Sequence, residues 1–552
     1  MALPGMLYVT MAPKPGLSLD QFHEWYNNEH GPTRLRLPAI FANGLRYQAT
    51  DGLDPPFLAA YDVRDLALLN TATYLDLRAN RSPREAETIG QVAVTRYFFR
   101  EVLTQQAPGF VASEDLPVDD DTAAGRVLVS VELTLNTADA EAATALERWY
   151  EEEHFPQLAR VPGWLRSRLY RTWGEDADTD AAKSAIRLFS LHEYARDNGL
   201  GGPEHTASMA TPRCVNLLAR YVAGKSRRTY GLFYIFGPAP RDLTSLAALP
   251  ATRAFCSADK KTRTLPTVPA IHSFVTLPHD GLEIPYVLEG NPAADAPTIA
   301  FCNSLLTSLH MWDDLVALLR AARPQYRILR YDARGRHSLP PAAAVPATLP
   351  RLADDLAALL AALRIPRLHA LVGVSQGGAT TLQFGLRHPE LAGRLVACDF
   401  NVASSPANTQ AWKDRIALAE SDAGSGPGSG IHTLAPATVA RWFDAYTLEH
   451  RPQVVAHMTA MVAANAIDGF RYGCQALWDY DMRAQAPTLK PTTLLVAGAG
   501  DGGKEGKLAK AMKGFRASIG PTGADFRIVA QAGHLPMYEN PSAFWAAIEH
   551  FL

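Results

Sequence analysis

The chain has 552 residues, 47% hydrophobic and 20% charged, with a net charge of −3. A single core stops growing at roughly 250–300 residues, so two or three domains are expected. The near-neutral balance gives no electrostatic case for nucleic acid or an anionic membrane, and no run reaches the ~18–20 apolar residues of a membrane span.

From the N-terminus, Met1 to Thr10 lack the charged and long apolar regions of a signal peptide. An internal repeat follows. Trp25-Tyr26-Asn27-Asn28-Glu29-His30-Gly31-Pro32 recurs as Trp149-Tyr150-Glu151-Glu152-Glu153-His154-Phe155-Pro156. A strand candidate precedes each copy, Leu7–Thr10 and Val127–Val131. Downstream, Leu45-Arg46-Tyr47 matches Arg168-Leu169-Tyr170 with a one-residue slip, and Ser82-Pro83-Arg84 matches Thr211-Pro212-Arg213. Ser18 and Gln21 form a capping box, and Phe22, Trp25, Tyr26 and Glu29 fall at helical spacing, so one helical face should lie on a sheet. Each half therefore reads strand, helix, strands, helix, strand.

These Trp-Tyr-x-x-x-His-x-Pro segments resemble the EthD-like branch of the dimeric α+β barrel superfamily. The resemblance covers about residues 1–236. It implies a ferredoxin-like duplicated barrel, with repeats at 1–112 and 125–236 that pair within the chain. A higher oligomer stays open. His30 and His154 are candidates for a second site, since histidine suits proton transfer near neutral pH. The plainer alternative is an interaction with a helix C-terminal dipole. Trp25 and Trp149 read as core. The repeats are separated by Pro117–Ala124 with its acidic run Asp119-Asp120-Asp121, and a Pro-rich linker is expected over 237–270.

After the linker, β-type runs alternate with helical stretches. Thr298–Phe301, Arg327–Tyr331, His369–Val372, Arg394–Cys398 and Thr493–Ala497 are strand candidates, and Leu352–Leu363 is a helix. Such alternation implies a mostly parallel sheet covered on both faces. Gly373-Val374-Ser375-Gln376-Gly377-Gly378 lies between a strand and the helical run Ala379–Leu386. A G-x-S-x-G at that junction reads as a nucleophile elbow, and the fold as an α/β-hydrolase. A serine hydroxyl needs a base and the base an orienting carboxylate. The chain order Ser, acid, His selects Asp501, after the strand ending at Ala497, and His534, in Ala532-Gly533-His534-Leu535-Pro536. Asp399, after the strand ending at Cys398, is the rival acid. The oxyanion donors are expected to be the backbone N–H groups of Gln376 and Leu305.

Phe301-Cys302-Asn303-Ser304-Leu305 through Met311-Trp312-Asp313 resembles 3-oxoadipate enol-lactonases, as do Gly469–Arg483 and Gly533–Pro541. The resemblance spans about 272–552. Together with the domain at 271–552 it implies a helical cap over 401–486, with Asn303, Ser304 and Trp312 contacting substrate. Asp332-Ala333-Arg334-Gly335-Arg336-His337-Ser338 departs from the family's Asp-x-Arg-Gly-His-Gly-x-Ser and is expected to shape the sheet edge. The insert Ala423–Gly430 reads as disordered.

The function expected is hydrolysis of a lactone or ester of a small aromatic or polyketide-type metabolite through a Ser-His-Asp acyl-enzyme. Carbon–carbon hydrolysis of a β-diketone is one alternative. A bifunctional enzyme, whose barrel binds, cyclises or decarboxylates a polyketide-like intermediate, is another. Five cysteines without a CxxC pair argue against a disulfide frame or zinc site and for a reducing, cytoplasmic setting. No metal or cofactor is expected. The partner expected is a small-molecule substrate, with neither nucleic acid nor membrane.

Overall fold

The computed structural model describes residues 2–117, 125–136, 140–173, 187–250, 253–340, 346–421, 429–503 and 506–552. Most of the inter-repeat connection 117–124 and of the insert 423–430 lies outside these residues. The chain divides into two compact units, 1–240 with 256–260 and 241–255 with 261–552.

In the first unit, eight strands close an antiparallel barrel. They are β1 (Gly5–Pro13), β2 (Leu45–Ala49), β3 (Phe57–Val63), β4 (Val92–Gln106), β5 (Val127–Leu135), β6 (Trp164–Thr172), β7 (Arg187–Tyr194) and β8 (Val222–Ile235), in the order β1-β3-β2-β8-β5-β7-β6-β4. An eight-stranded interior is just wide enough for side chains to fill. Here Tyr8, Tyr47, Leu58, Phe99, Tyr170, Phe189 and Tyr230 fill it. The opposite faces of the strands pack under helices, one cluster around Phe22, Trp25 and Phe57 and another around Leu146, Trp149 and Leu188. Ser18 caps the helix Leu19–Trp25, its Oγ accepting the Gln21 N–H at 3.2 Å. That helix runs into a π-helical turn, Tyr26–His30, and the helix Ala140–Trp149 likewise runs into Tyr150–His154. Such turns widen the helix locally and re-aim side chains, here the terminal histidines.

A ten-stranded sheet is formed by β10 (Arg263–Leu265), β11 (Ala270–Thr276), β12 (Glu283–Gly290), β13 (Thr298–Cys302), β14 (Arg327–Tyr331), β15 (Leu368–Val374), β16 (Ala392–Cys398), β17 (Thr492–Gly498) and β18 (Asp525–Val529) of the second unit, with the two-residue strand β9 (Phe255–Cys256) at its edge. Their order is β18-β17-β16-β15-β13-β14-β12-β11-β10-β9. The run from β14 to β18 is parallel, and β10 to β12 join antiparallel. Of the central strands, β13 is buried along its whole length and β15 at every position but His369, as helices on both faces require. The proline-rich stretch 237–270, expected as a linker, carries the short helix Leu243–Ala247 and the strand β10. Its prolines all fall outside these elements, so they interrupt neither. Between β16 and β17 lie the helices Pro406–Ser421, Ser429–Trp442, Ala445–His450, Pro452–Ala463 and Ile467–Cys474. The loop Asp332–Ser338 is structural. The Arg334 guanidinium is buried, with Asp355 at 2.6 Å and Asp280 at 3.0 Å, and Asp332 accepts the Leu309 N–H at 2.6 Å. Among the described residues, no helix is long and apolar enough to cross a membrane.

Candidate active site

The strand β15 ends at Val374, and the helix Gln376–Arg387 begins two residues later. The residue between them, Ser375, has φ 60° and ψ −119°. A side-chain-bearing residue held there stores on the order of 1–3 kcal/mol of strain, which the surroundings must enforce. They do so from both sides. The Ser375 N–H donates to the Cys398 carbonyl at 2.9 Å. A Cβ on Gly377 would collide with the carbonyls of Cys302 and Asn303, and one on Gly378 with that of Cys398. Only glycine lets the helix sit this close to β13 and β16.

His534 follows β18. Its N–H donates to the Trp442 carbonyl at 2.6 Å, and its ring stacks on Trp442 at 5.9 Å. The imidazole Nε2 lies 2.9 Å from Ser375 Oγ, and Nδ1 lies 2.8 Å from Asp501 Oδ2. Because a carboxylate faces Nδ1, that nitrogen carries the proton and Nε2 is free to accept one. Burial opposes the Asp501 charge, yet the His534 ring and its hydrogen bond hold the carboxyl below its ordinary value. Glu539 clamps the histidine loop, accepting the Gly533 N–H at 2.8 Å and the Asp444 N–H at 2.7 Å. Burial nevertheless pushes Glu539 up to about 7.

Asp399 sits behind Asp501. It is fully buried, with Oδ1 accepting the Gly498 N–H at 2.9 Å and, among the described residues, no hydrogen-bond partner at Oδ2. Burial, then the Asp501 charge, raise its pKa far above the carboxylate range. Two adjoining carboxyls cannot both ionise in a dry site. Asp501 keeps the charge because it alone faces His534, and Asp399 holds a proton.

Ser375, Asp501 and His534 open on a cavity of about 240 Å³. Its far wall comes from the helices between β16 and β17, with Trp412, Arg415, Arg441 and Trp442, and from Tyr480 in the loop after them. Arg415 lies over the Trp412 ring at 4.5 Å. Burial lowers the pKa of both arginines, and the Arg415 charge helps bring Arg441 to about 10. Among the described residues neither guanidinium makes an ion pair within 4.0 Å. Two guanidinium groups thus share the cavity with Ser375 and the charged Asp501.

Asn303, Ser304, Leu305 and Gln376 line a separate, smaller cavity. The contact of Gly377 with Cys302 and Asn303 sets the start of this loop against the first turn after Ser375, and the Gln376 side-chain Nε2 donates to the Gly473 carbonyl at 2.8 Å. The side chains expected to touch substrate are otherwise occupied. Asn303 Nδ2 donates to the Tyr331 carbonyl and to Asp332, both at 2.9 Å, and Asn303 Oδ1 accepts the Trp312 Nε1–H at 2.8 Å. Trp312 is fully buried against Phe301. These residues brace the loop, whereas the cavity residues Trp412, Arg415 and Arg441 were missed. A Trp and an Arg three residues apart on one helix, with a second Arg-Trp pair ending the next, is the signal that could have found them.

In the first unit, His30 is buried with Nδ1 2.7 Å from Glu85 Oε1, and burial lowers its pKa to about 4. His154 is buried against a different cavity, and among the described residues its Nδ1 meets no hydrogen-bond partner. Among the described residues, no cluster of His, Cys, Asp and Glu could hold a metal ion.

Residues 297–541 match the family model described as alpha/beta hydrolase fold. The chain is 30% identical over 235 residues to 3-oxoadipate enol-lactonase 1 of Acinetobacter baylyi, spanning 42% of this chain and 80% of that one. It is 29% identical over 234 residues to 3-oxoadipate enol-lactonase 2 of the same organism, spanning 42% and 82%. A solved hydrolase from Pseudomonas aeruginosa PA01 is 35% identical, with a TM-score of 0.42, covering 51% of this chain and 97% of that one.

Proposed function

Through residues 297–541 the chain belongs to the alpha/beta hydrolase fold family and is a hydrolase, and from that premise we propose that it cleaves a lactone or ester bearing a carboxylate. Ser375 Oγ attacks the carbonyl while His534 Nε2 takes its proton. Asp501 orients the ring and offsets the imidazolium charge. Collapse of the tetrahedral adduct breaks the carbon–oxygen bond, and His534 returns the proton to the leaving oxygen. Water, deprotonated by the same nitrogen, then releases the acid and frees Ser375. The oxyanion rests on the N–H groups of Gln376, at the open end of its helix, and Leu305.

The observation that carries this reading is the unbroken chain Asp501–His534–Ser375, at 2.8 and 2.9 Å, facing Arg415 and Arg441 across one cavity. The names of the enol-lactonase relatives favour a lactone over a simple ester. The test offers the protein a carboxylate-bearing enol-lactone, its methyl ester and a β-diketone of equal size. Preferred opening of the free-acid lactone supports the reading. Preferred cleavage of the diketone defeats it.

The first unit we read as two EthD-like, ferredoxin-like copies paired within one chain. Supporting this are the shared element order and the two π-helical turns ending in His30 and His154. Two further contacts match. Ser82 donates to Glu29 and Thr211 to Glu153, both at 2.5 Å, and each hydroxyl also caps the helix that follows it.

A further inference from the structure

The matching caps align the two halves residue by residue. Ser82 Oγ accepts the N–H of Glu85, and Thr211 Oγ1 accepts that of Cys214. In the first half, Glu85 places its carboxylate 2.7 Å from His30 Nδ1. In the second, the matching residue is a buried thiol, and among the described residues no hydrogen-bond partner meets His154 Nδ1. A second difference points the same way. Arg46 is fully buried in the first half, its guanidinium 4.4 Å from the Tyr26 ring centroid, whereas the matching residue of the second half is Leu169. At the matching positions the second half thus has neither the anion that meets the histidine of the first nor the cation beside it.

What remains is a cavity of about 180 Å³. Its walls are apolar, with Trp149, Tyr150, Leu158 and Leu218, and its polar residues are His154, His192, His205, Lys225 and Arg227. Among the described residues, no carboxylate lines it. Lys225 and Arg227 stand solvent-exposed on β8 at the mouth, in no ion pair among the described residues. Burial, then the nearby Lys225 and His205 charges, hold His154 neutral, its pKa lowered to about 3 despite a contact with the Ser208 backbone.

We propose that this cavity is a ligand site, separate from the Ser375 site, for a small aromatic anion, a carboxylate or a phenolate. The ring would pack against Trp149 and Leu218, the charge would face Lys225 and Arg227, and His154 Nδ1 would supply the hydrogen bond that Glu85 receives in the other half. The size fits. An apolar cavity of about 150 Å³ admits benzene, so 180 Å³ takes one substituted ring. The site rests on the cavity and on the two-copy reading of the first unit, and is independent of the hydrolase reading.

The test is calorimetric titration of the full-length chain with 4-ethylbenzoate, and with 4-ethylbenzyl alcohol as the neutral match. The acid is expected to bind more tightly than the alcohol. Leu218→Trp, which fills the cavity from a half-buried position, is expected to abolish binding of both. Cys214→Glu, which returns the carboxylate, should weaken the acid by about tenfold or more (~1.4 kcal/mol per tenfold). Lys225→Met should weaken the acid about tenfold and leave the alcohol unchanged. Thermal unfolding of each variant shows that it is folded. Equal affinity for acid and alcohol overturns the proposal. So does absence of binding at millimolar ligand, or acid binding that Leu218→Trp leaves intact, which would place the anion elsewhere.

Discussion

Exchanging each carboxyl behind His534 for its amide tests the assignment of charge between them. Asp399 and Asp501 both sit at strand ends, both are buried, and both line the cavity of Ser375. Asp501→Asn removes the acceptor 2.8 Å from Nδ1 and turns a donor toward it, so the ring loses its tautomer and the imidazolium its counter-charge. Comparable losses run to about 10⁴-fold in kcat, roughly 5.5 kcal/mol. Asp399→Asn swaps one neutral group for another of the same shape. Its Oδ1 still accepts the Gly498 N–H, and its NH₂ takes the place of the protonated oxygen. The expected change in kcat/KM is within about threefold, or ~0.7 kcal/mol. Asp399→Ala instead leaves the Gly498 N–H unpaired in a dry site, at a cost of about 1–3 kcal/mol in stability. The assay is kcat/KM on a chromogenic ester, paired with urea unfolding. If Asp399→Asn is as damaging as Asp501→Asn, Asp399 carries the charge and the assignment is wrong.

Arg441→Met should raise KM for a carboxylate-bearing lactone about tenfold or more while leaving its methyl ester nearly unchanged, as initial-rate kinetics on the pair would show. Gly377→Ala should abolish activity and cost several kcal/mol, because its Cβ meets backbone carbonyls that cannot retreat; denaturant titration measures the loss. Glu539 predicts a pH slope in stability. Its folded pKa of about 7 exceeds the ordinary 4.5, so the folded state holds a proton that the unfolded chain releases. That contribution is complete below the ordinary value and is lost as pH rises toward 7, at ~1.4 kcal/mol per pH unit. Urea unfolding at several pH values should show the slope in the wild type and a flatter profile in Glu539→Gln.

The geometry around Ser375 was legible in the sequence because its parts are local. A strand, a glycine-flanked serine and a helix can each be read within a dozen residues, and the order of Asp501 and His534 follows from the strands before them. The cavity wall was not legible. Arg415 and Arg441 lie on helices whose surface looks like any amphipathic stretch until the chain folds back over Ser375. Asn303 and Trp312 misled for the opposite reason. They stand next to the site in sequence, but their polar atoms meet each other and the end of β14. In the first unit the repeated Trp-Tyr-x-x-x-His segments gave the element order. The unequal fates of His30 and His154 depend on Glu85 and Cys214, 55 and 60 residues downstream of them, and only the capped helices bring these together.

The most direct test of the central claim is intact-mass and peptide mapping after exposure to a fluorophosphonate. A single adduct on Ser375 is expected, absent from Ser375→Ala and formed orders of magnitude more slowly in His534→Ala. A wild-type protein that stays unlabelled, or that carries its adduct on another serine, would contradict it.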